Sequence, residues 1–344
     1  MTNISIKNIT DTLNRPLHDL RISVIDRCNF RCPYCMPRES FPKHYPFLKK
    51  EEWLSFAEIL RLVKLFTQLG TKKVRLTGGE PLLRPHLQEL VAQLSQIQEL
   101  EDIALTTNGS KLAEYAQALK ESGLKRLTVS LDTLDSRVFK TMSGQRGSLA
   151  QVLAGIKKAQ AAGFESLKIN VVVQRGVNDH NILDIVDYFR RTKHVLRFIE
   201  YMDVGNCNHW ESKYVVPTAE IVQLIHKHYT LKKLPANYFG EVAFRYQITE
   251  GGGELGFISS ISKPFCHSCT RARLSADGKL FTCLFAAQGT DLKGHLRQGA
   301  SDQNILDIIQ KTWQKRNDRY SELRSQILTT HPIPQKIEMF QIGG

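Results

Sequence analysis

Seven cysteines stand in the chain, and six of them form two tight triplets, Cys28/Cys32/Cys35 and Cys266/Cys269/Cys283. Thiolates are soft ligands that hold iron and zinc. The first spacing, Cys-x3-Cys-x2-Cys, can bind three irons of a cubane cluster and leave the fourth without a protein ligand, open for chemistry. Zinc is the rival, but no His or Cys lies close enough in sequence to complete a four-ligand site in this loop. Phe30 and Tyr34 beside the cysteines would shield a cluster and could stack on an adenine. In the second triplet two cysteines share a tight turn and Cys283 comes after a hairpin around Asp277-Gly278. That spacing admits zinc completed by His267 or an auxiliary cluster whose free iron binds substrate. Within it runs Arg271-Ala272-Arg273, which as a strand would set both guanidiniums on one face, suited to purine edges and phosphates. Cys207 reads as an ordinary thiol with no partner ligands nearby.

Bulk properties narrow the ligand. With 344 residues, 42% apolar, the chain can bury a full core, and 47 basic against 34 acidic residues give a net charge of +13 that favours polyanions. The basic residues are scattered, with no Lys/Arg block or aromatic-basic stripe, so a small phosphorylated ligand suits this charge at least as well as nucleic acid, and no nucleic-acid partner is expected. Clustered cysteines without a secretion signal point to metal in a reducing compartment, and no stretch of eighteen apolar residues occurs, so a cytoplasmic protein without membrane contact is expected.

The elements that must position these residues are legible as alternation. Candidate strands at Arg21–Ile25, Lys73–Thr77, Ile103–Thr107, Arg126–Leu131, Leu167–Gln174 and Val195–Tyr201 alternate with helical patterns at Ser55–Leu69, Pro85–Ile97, Lys111–Ser122, Leu149–Ala162 and Asn181–Thr192. Six βα units predict an α/β fold, a partial TIM-type barrel over residues 1–216, with chemistry at the C-terminal strand ends. The cysteine loop comes after strand one and Gly78-Gly79-Glu80-Pro81 after strand two, where glycines permit close approach and a carboxylate could receive an ammonium group. Residues 217–344 are expected to form a smaller C-terminal lobe closing the open side, with a helical tail over Asp302–Ile327.

The Cys28-x3-Cys32-x2-Cys35 motif, with an aromatic before its last cysteine, resembles the defining motif of the radical S-adenosylmethionine superfamily. The resemblance implies that the cofactor's methionine chelates the open iron and that reduction releases a 5′-deoxyadenosyl radical. With Leu76–Pro81, Thr106–Gly109, Val129–Asp132, Arg197–Met202, the second triplet and the terminal Gly343-Gly344, the whole chain resembles the GTP 3′,8-cyclase family, which opens molybdenum cofactor biosynthesis. That resemblance implies a lyase with two 4Fe–4S clusters, which abstracts hydrogen from C3′ of GTP and joins C3′ to C8. Position by position, it places S-adenosylmethionine on Tyr34, Gly79, Ser130 and Met202, and GTP on Arg21, Arg75, Thr106, Lys168, Arg271, Ala272 and Arg273. It further implies a catalytic tail at Gly343 and Gly344, a homodimer, a separate electron donor, and transfer of the product to the cyclic pyranopterin monophosphate synthase. Other readings are a peptide-modifying radical enzyme, a ferredoxin-like carrier, and a zinc protein that binds nucleic acid.

Overall fold

Runs of β-branched residues become strands because such side chains pack well on a pleated surface, and the amphipathic stretches between them cover that surface. The computed structural model describes residues 8–329 and 335–344. Strands β1 (Asp19–Ser23), β2 (Lys73–Thr77), β3 (Asp102–Thr107), β4 (Arg126–Ser130), β5 (Lys168–Val173) and β6 (Val195–Glu200) lie side by side in chain order, all parallel. Between them run α1 (Phe56–Gln68), α2 (Leu87–Leu94), α3 (Leu112–Glu121), α4 (Ser136–Met142), α5 (Leu149–Ala161) and α6 (Ile182–Phe189). The six βα units are the expected ones, with α4 an addition that Asp135 caps by accepting from Arg137 and Val138 N–H groups. At α1, Ser55 accepts from Glu58 N while Glu58 reaches back to Ser55 N, and Ile59, Leu62, Val63 and Phe66 form the buried stripe. Each such side chain stabilises by roughly 2 kcal/mol. Gly70, Gly123 and Gly163, all at positive φ, end α1, α3 and α5.

The C-terminal third differs from an appended lobe. It adds α7 (Thr218–His226), β7 (Leu231–Leu234), β8 (Phe244–Ile248), β9 (Glu254–Ile258), β10 (Arg271–Leu274), β11 (Lys279–Phe281), β12 (Thr290–Asp291), α8 (Lys293–Arg297), α9 (Asp302–Gln314), α10 (Tyr320–Leu328) and α11 (Met339–Ile342). Its strands build no sheet of their own. β9 pairs parallel with β6 and β10 parallel with β1, giving one twelve-stranded order, β12-β11-β10-β1-β2-β3-β4-β5-β6-β9-β8-β7. The six-stranded row alone would leave two unpaired edges, and the C-terminal strands satisfy both. The single helical tail expected over Asp302–Ile327 is two helices, α9 and α10. They part where Arg316 is drawn into the core, its Nη1 reaching Cys269 O at 2.7 Å and Asp11 Oδ2 at 3.2 Å. Among the described residues no helix is long and apolar enough to cross a membrane.

Candidate active site

The first cysteine loop leaves the C-terminal end of β1 and is stapled in place by Arg31. That guanidinium donates from Nε to Phe41 O (2.9 Å) and from Nη1 to Cys28 O and Phe30 O (2.8 Å each). Gly78 and Gly79 serve this loop directly. A Cβ on Gly79 would stand 2.2 Å from Arg27 O, and one on Gly78 2.4 Å from Ile25 O, so the glycines let strand end and cysteine loop lie backbone to backbone. Gly79 N donates to Ile25 O and Glu80 N to Arg27 O, at 2.8 Å each. The Glu80 carboxylate, expected to receive an ammonium group, is buried and already accepts from Thr107 Oγ1 (2.7 Å), Asn108 N (2.7 Å) and Leu82 N (3.0 Å). Burial pushes it up to about 7. Its first duty is to tie the ends of β2 and β3 together.

Both triplets open on one cavity of about 320 Å³. Cys28, Cys32, Cys35, Tyr34, Gly79, Ser130 and Met202 line one part of it, and Cys266, Cys269, Cys283, Arg271 and Arg273 another. All seven cysteines are free thiols. Burial raises the Cys28 thiol to about 12 and also lifts Cys32 and Cys35. At the second triplet burial likewise raises Cys283 to about 12, whereas at Cys269 the Arg271 and Arg316 guanidiniums overcome burial and hold the thiol down to about 6. Arg271 Nη2 donates to Cys269 Sγ at 3.1 Å.

Three thiols at each end of one cavity suit cluster ligation. Among the described residues no three Cys, His, Asp or Glu side chains gather tightly enough to share one metal ion. His267, the zinc alternative at the second triplet, is 76% exposed and faces Glu322 at 3.7 Å rather than the cysteines. A cubane takes one thiolate per iron and needs its sulfurs spread around it. Arg15, which lines the cavity, adds a second sign of fit: it donates to Cys266 O at 2.7 Å, while its buried Nη2 has no partner among the described residues. Arg15 and Arg316 are both held by Asp11, at 2.6 and 3.2 Å, so a buried ionic triad backs the second triplet. Sequence reading missed this triad, whose Arg316 lies 305 residues from Asp11.

The nucleotide-binding expectations fall mostly on one inner wall. Register places Arg21 beside Arg75 on one side and Arg273 on the other. Arg75 Nη1 reaches Thr106 Oγ1 (3.1 Å) and Thr128 Oγ1 (3.0 Å). A smaller cavity of about 60 Å³ lies at the N-terminal strand ends, lined by Lys73, Arg126 and Lys168, and Arg21, Arg75, Arg197 and Arg271 border both cavities. Burial and mutual repulsion pull Arg21 and Arg75 down, Arg197 down to about 9 and Lys168 down to about 7. Cations so placed call for an anion. Ala272 does not share this wall: it is fully buried and lines neither cavity. Arg197, whose side chain grips Asn170 Oδ1 at 2.8 Å, was not among the expected residues, although its place in the alternating β6 was the signal for an inward charge. Asp132 was missed as well; it accepts from Tyr34 OH at 2.7 Å. Cys207 lies 3.5 Å from Glu338 and packs against the same small apolar cluster as Cys28 and Cys35, formed by Met36, Phe41 and Phe340.

The model of the radical SAM superfamily matches residues 22–189, and the one described as Molybdenum Cofactor Synthesis C matches residues 194–322. A GTP 3′,8-cyclase of Xanthomonas axonopodis pv. citri is 52% identical over 337 residues, 97% of this chain and 98% of the relative. The chain belongs to the GTP 3′,8-cyclase family. GTP 3′,8-cyclases of Acidothermus cellulolyticus and Staphylococcus haemolyticus are 48% and 45% identical over 98% of the chain and 99% and 100% of their own lengths. Streptococcus suis SuiB bound to the precursor peptide SuiA has a TM-score of 0.61 and 16% identity, covering 91% of this chain and 68% of that one, a likeness of fold. As a GTP 3′,8-cyclase family member and radical SAM enzyme, the protein works with S-adenosylmethionine and 4Fe–4S clusters, for which the two triplets are the fitting ligands.

Proposed function

We propose that the chain converts GTP to 3′,8-cyclo-7,8-dihydro-GTP, joining C3′ of the ribose to C8 of the guanine, as the first step of molybdenum cofactor biosynthesis. The observation that carries this reading is one cavity bounded by two cysteine triplets, which shares Arg21, Arg75, Arg197 and Arg271 with a second pocket lined mainly by cations. On this reading Cys28, Cys32 and Cys35 hold the first cluster and Cys266, Cys269 and Cys283 the second. When bound, the first cluster with S-adenosylmethionine supplies one-electron bond cleavage, and the second supplies an open iron for the purine. Tyr34, Gly79, Ser130 and Met202 hold the cofactor. Arg21, Arg75, Thr106, Lys168 and the Arg271–Arg273 strand hold GTP, with Arg197 added to them by its place on the same wall. Their work is positional: cations fix the triphosphate, so the ribose stands between the two metal ends, and the apolar lining excludes water and stray hydrogen donors.

The residues 1–216 and 217–344 are proposed as the barrel part and the part that carries the second cluster. A cytoplasmic homodimer, a separate electron donor and transfer of the product to the cyclic pyranopterin monophosphate synthase complete the proposal, and support for these rests on the family alone.

Anaerobic reconstitution with iron and sulfide, then reductant, S-adenosylmethionine and GTP, tests the reading. About eight irons per chain, 5′-deoxyadenosine and loss of GTP are expected, with Cys28→Ser abolishing cofactor cleavage. Full iron loading without GTP-dependent 5′-deoxyadenosine would sink the activity.

A further inference from the structure

The C-terminal residues 335–344 run to the cavity, tied by Lys336 Nζ to Asp203 Oδ2 (2.9 Å) and by Ile337 N to Ala286 O (2.9 Å), and two further contacts nearer the end have no role so far. The first is polar. Glu338 Oε1 accepts from Asn206 N (2.9 Å) and Asn206 Nδ2 (3.0 Å), and Asn206 in turn exchanges hydrogen bonds with the Lys336 backbone at 2.6 and 2.9 Å. Gly205 makes room for it: at φ +65 it adopts a conformation that favours glycine, and a Cβ there would stand 2.0 Å from Glu338 Oε2. The second contact is apolar. Phe340, 2% exposed, packs edge-on against Phe41 at 5.0 Å, Phe47 at 6.2 Å and Tyr45 at 6.4 Å.

These partners belong to two loops of the site. Phe41, Tyr45 and Phe47 come soon after Cys35 and are tied to its loop through Arg31, which donates to Phe41 O. Asn206 lies in the loop after β6 that also carries Met202. Beyond Phe340 the tail ends inside: Arg273 Nη1 donates to Gly343 O, and a Cβ on Gly343 would stand 1.8 Å from Thr77 Oγ1. Gly344 lines the main cavity. A two-residue glycine end has little grip of its own, since it buries no side chain and loses much backbone freedom on ordering. Its placement must come from residues before it.

We propose that Glu338 and Phe340 are positioning residues for the reaction, a two-point latch that seats Gly343-Gly344 against Arg273 and Thr77. The latch fastens the tail to the two loops that flank the cofactor end, so a loosened tail leaves the cavity open there. The proposal rests on the reading of the cavity as the nucleotide site, and its test separates the two.

Phe340→Ala, Phe340→Leu and Glu338→Gln are prepared as full-length holoenzymes. Release of the terminal glycines by a carboxypeptidase reads seating without any turnover, and GTP-dependent 5′-deoxyadenosine formation reads the reaction. Phe340→Ala is expected to lose its glycines about tenfold faster and to turn over about tenfold slower, because apparent activity scales with the seated fraction. Phe340→Leu recovers most of both, and Glu338→Gln, which lies outside the aromatic box, shifts both in the same direction by a smaller factor. Should Phe340→Ala lose iron, Glu338→Gln alone decides. Slower turnover with unchanged glycine release, or faster release with unchanged turnover, overturns the latch. An inactive wild type with protected glycines counts against the nucleotide reading and leaves the seating result to judge the latch.

Discussion

Lys168 is the residue whose charge depends most on what it faces. Burial lowers its pKa to about 7, helped by Arg197, Arg126 and Arg75, while Glu241 pulls the other way. Arg126 is itself partnered by Asp102. A triphosphate placed against this wall would restore the ammonium form, raising the pKa towards the usual value of about 10.4. Linkage then fixes the sign. Above pH 7 free protein holds fewer protons than the complex, so GTP binding takes up a proton and affinity falls as pH rises, by up to about tenfold per unit. Calorimetry at pH 8 in two buffers of different ionisation enthalpy should find uptake of a large fraction of one proton, and Lys168→Met should abolish it. Equal heats in the two buffers for the parent protein would remove Lys168 from the nucleotide site. Arg21, Arg75 and Lys168, named by the family resemblance, were legible as inward charges because they fall on strands one, two and five and can converge on the barrel interior. Ala272 was not, since membership of a motif says nothing about which way a side chain points. Arg15 and Arg316 were invisible because their meeting with Asp11 depends on how the two ends of the chain pack.

At the scale of elements, one carboxylate joins the barrel to the C-terminal third. Glu200, the last residue of β6, is 1% exposed and accepts from Thr218 N (2.7 Å) at the start of α7 and from Ile261 N and Ser262 N (2.8 Å each) beyond β9. Glu200→Ala would take the acceptor from three partly buried backbone donors, at roughly 3 kcal/mol. For a chain of this size that lowers Tm by about 5 °C or more. Because no cysteine touches Glu200 in this set of bonds, iron uptake should persist, and a thermal melt monitored by circular dichroism together with iron analysis checks both. An unchanged Tm would mean that water replaces the carboxylate. The run containing Glu200 was singled out from sequence for its position at a strand end, but its partners could not be, because the register of β9 on β6 is a long-range choice. Local pattern located β1 to β6 to within two residues. It could not say that β9 and β10 would leave the C-terminal third to pair with opposite edges, nor that Arg316 would divide the final helix.

That pairing sets how the whole molecule must behave. Phe198 of β6 and Phe257 of β9 stand in register with ring centroids 5.7 Å apart, and Leu20 and Ile22 of β1 stand in register with Ala272 and Leu274 of β10. All six are fully or almost fully buried and belong to one core, which also takes in Ile305, Ile309 and Trp313 of α9. A fragment of residues 1–216 keeps the first cysteine triplet and every strand of the barrel, so composition alone would pass it as a domain. Cutting there strips the two outer strands, β1 and β6, of their partners. Losing the burial of even half a dozen such side chains, at roughly 2 kcal/mol each, consumes the 5–15 kcal/mol by which a typical protein is stable. It also exposes two apolar strand edges that invite association. The fragment is therefore expected to aggregate or to lack a cooperative melt, and to hold substoichiometric iron after reconstitution. The full chain under the same conditions should melt in one transition, because its two parts share a core. A fragment that melts cooperatively and takes up about four irons would show that the barrel folds alone and that its C-terminal strands are additions rather than walls.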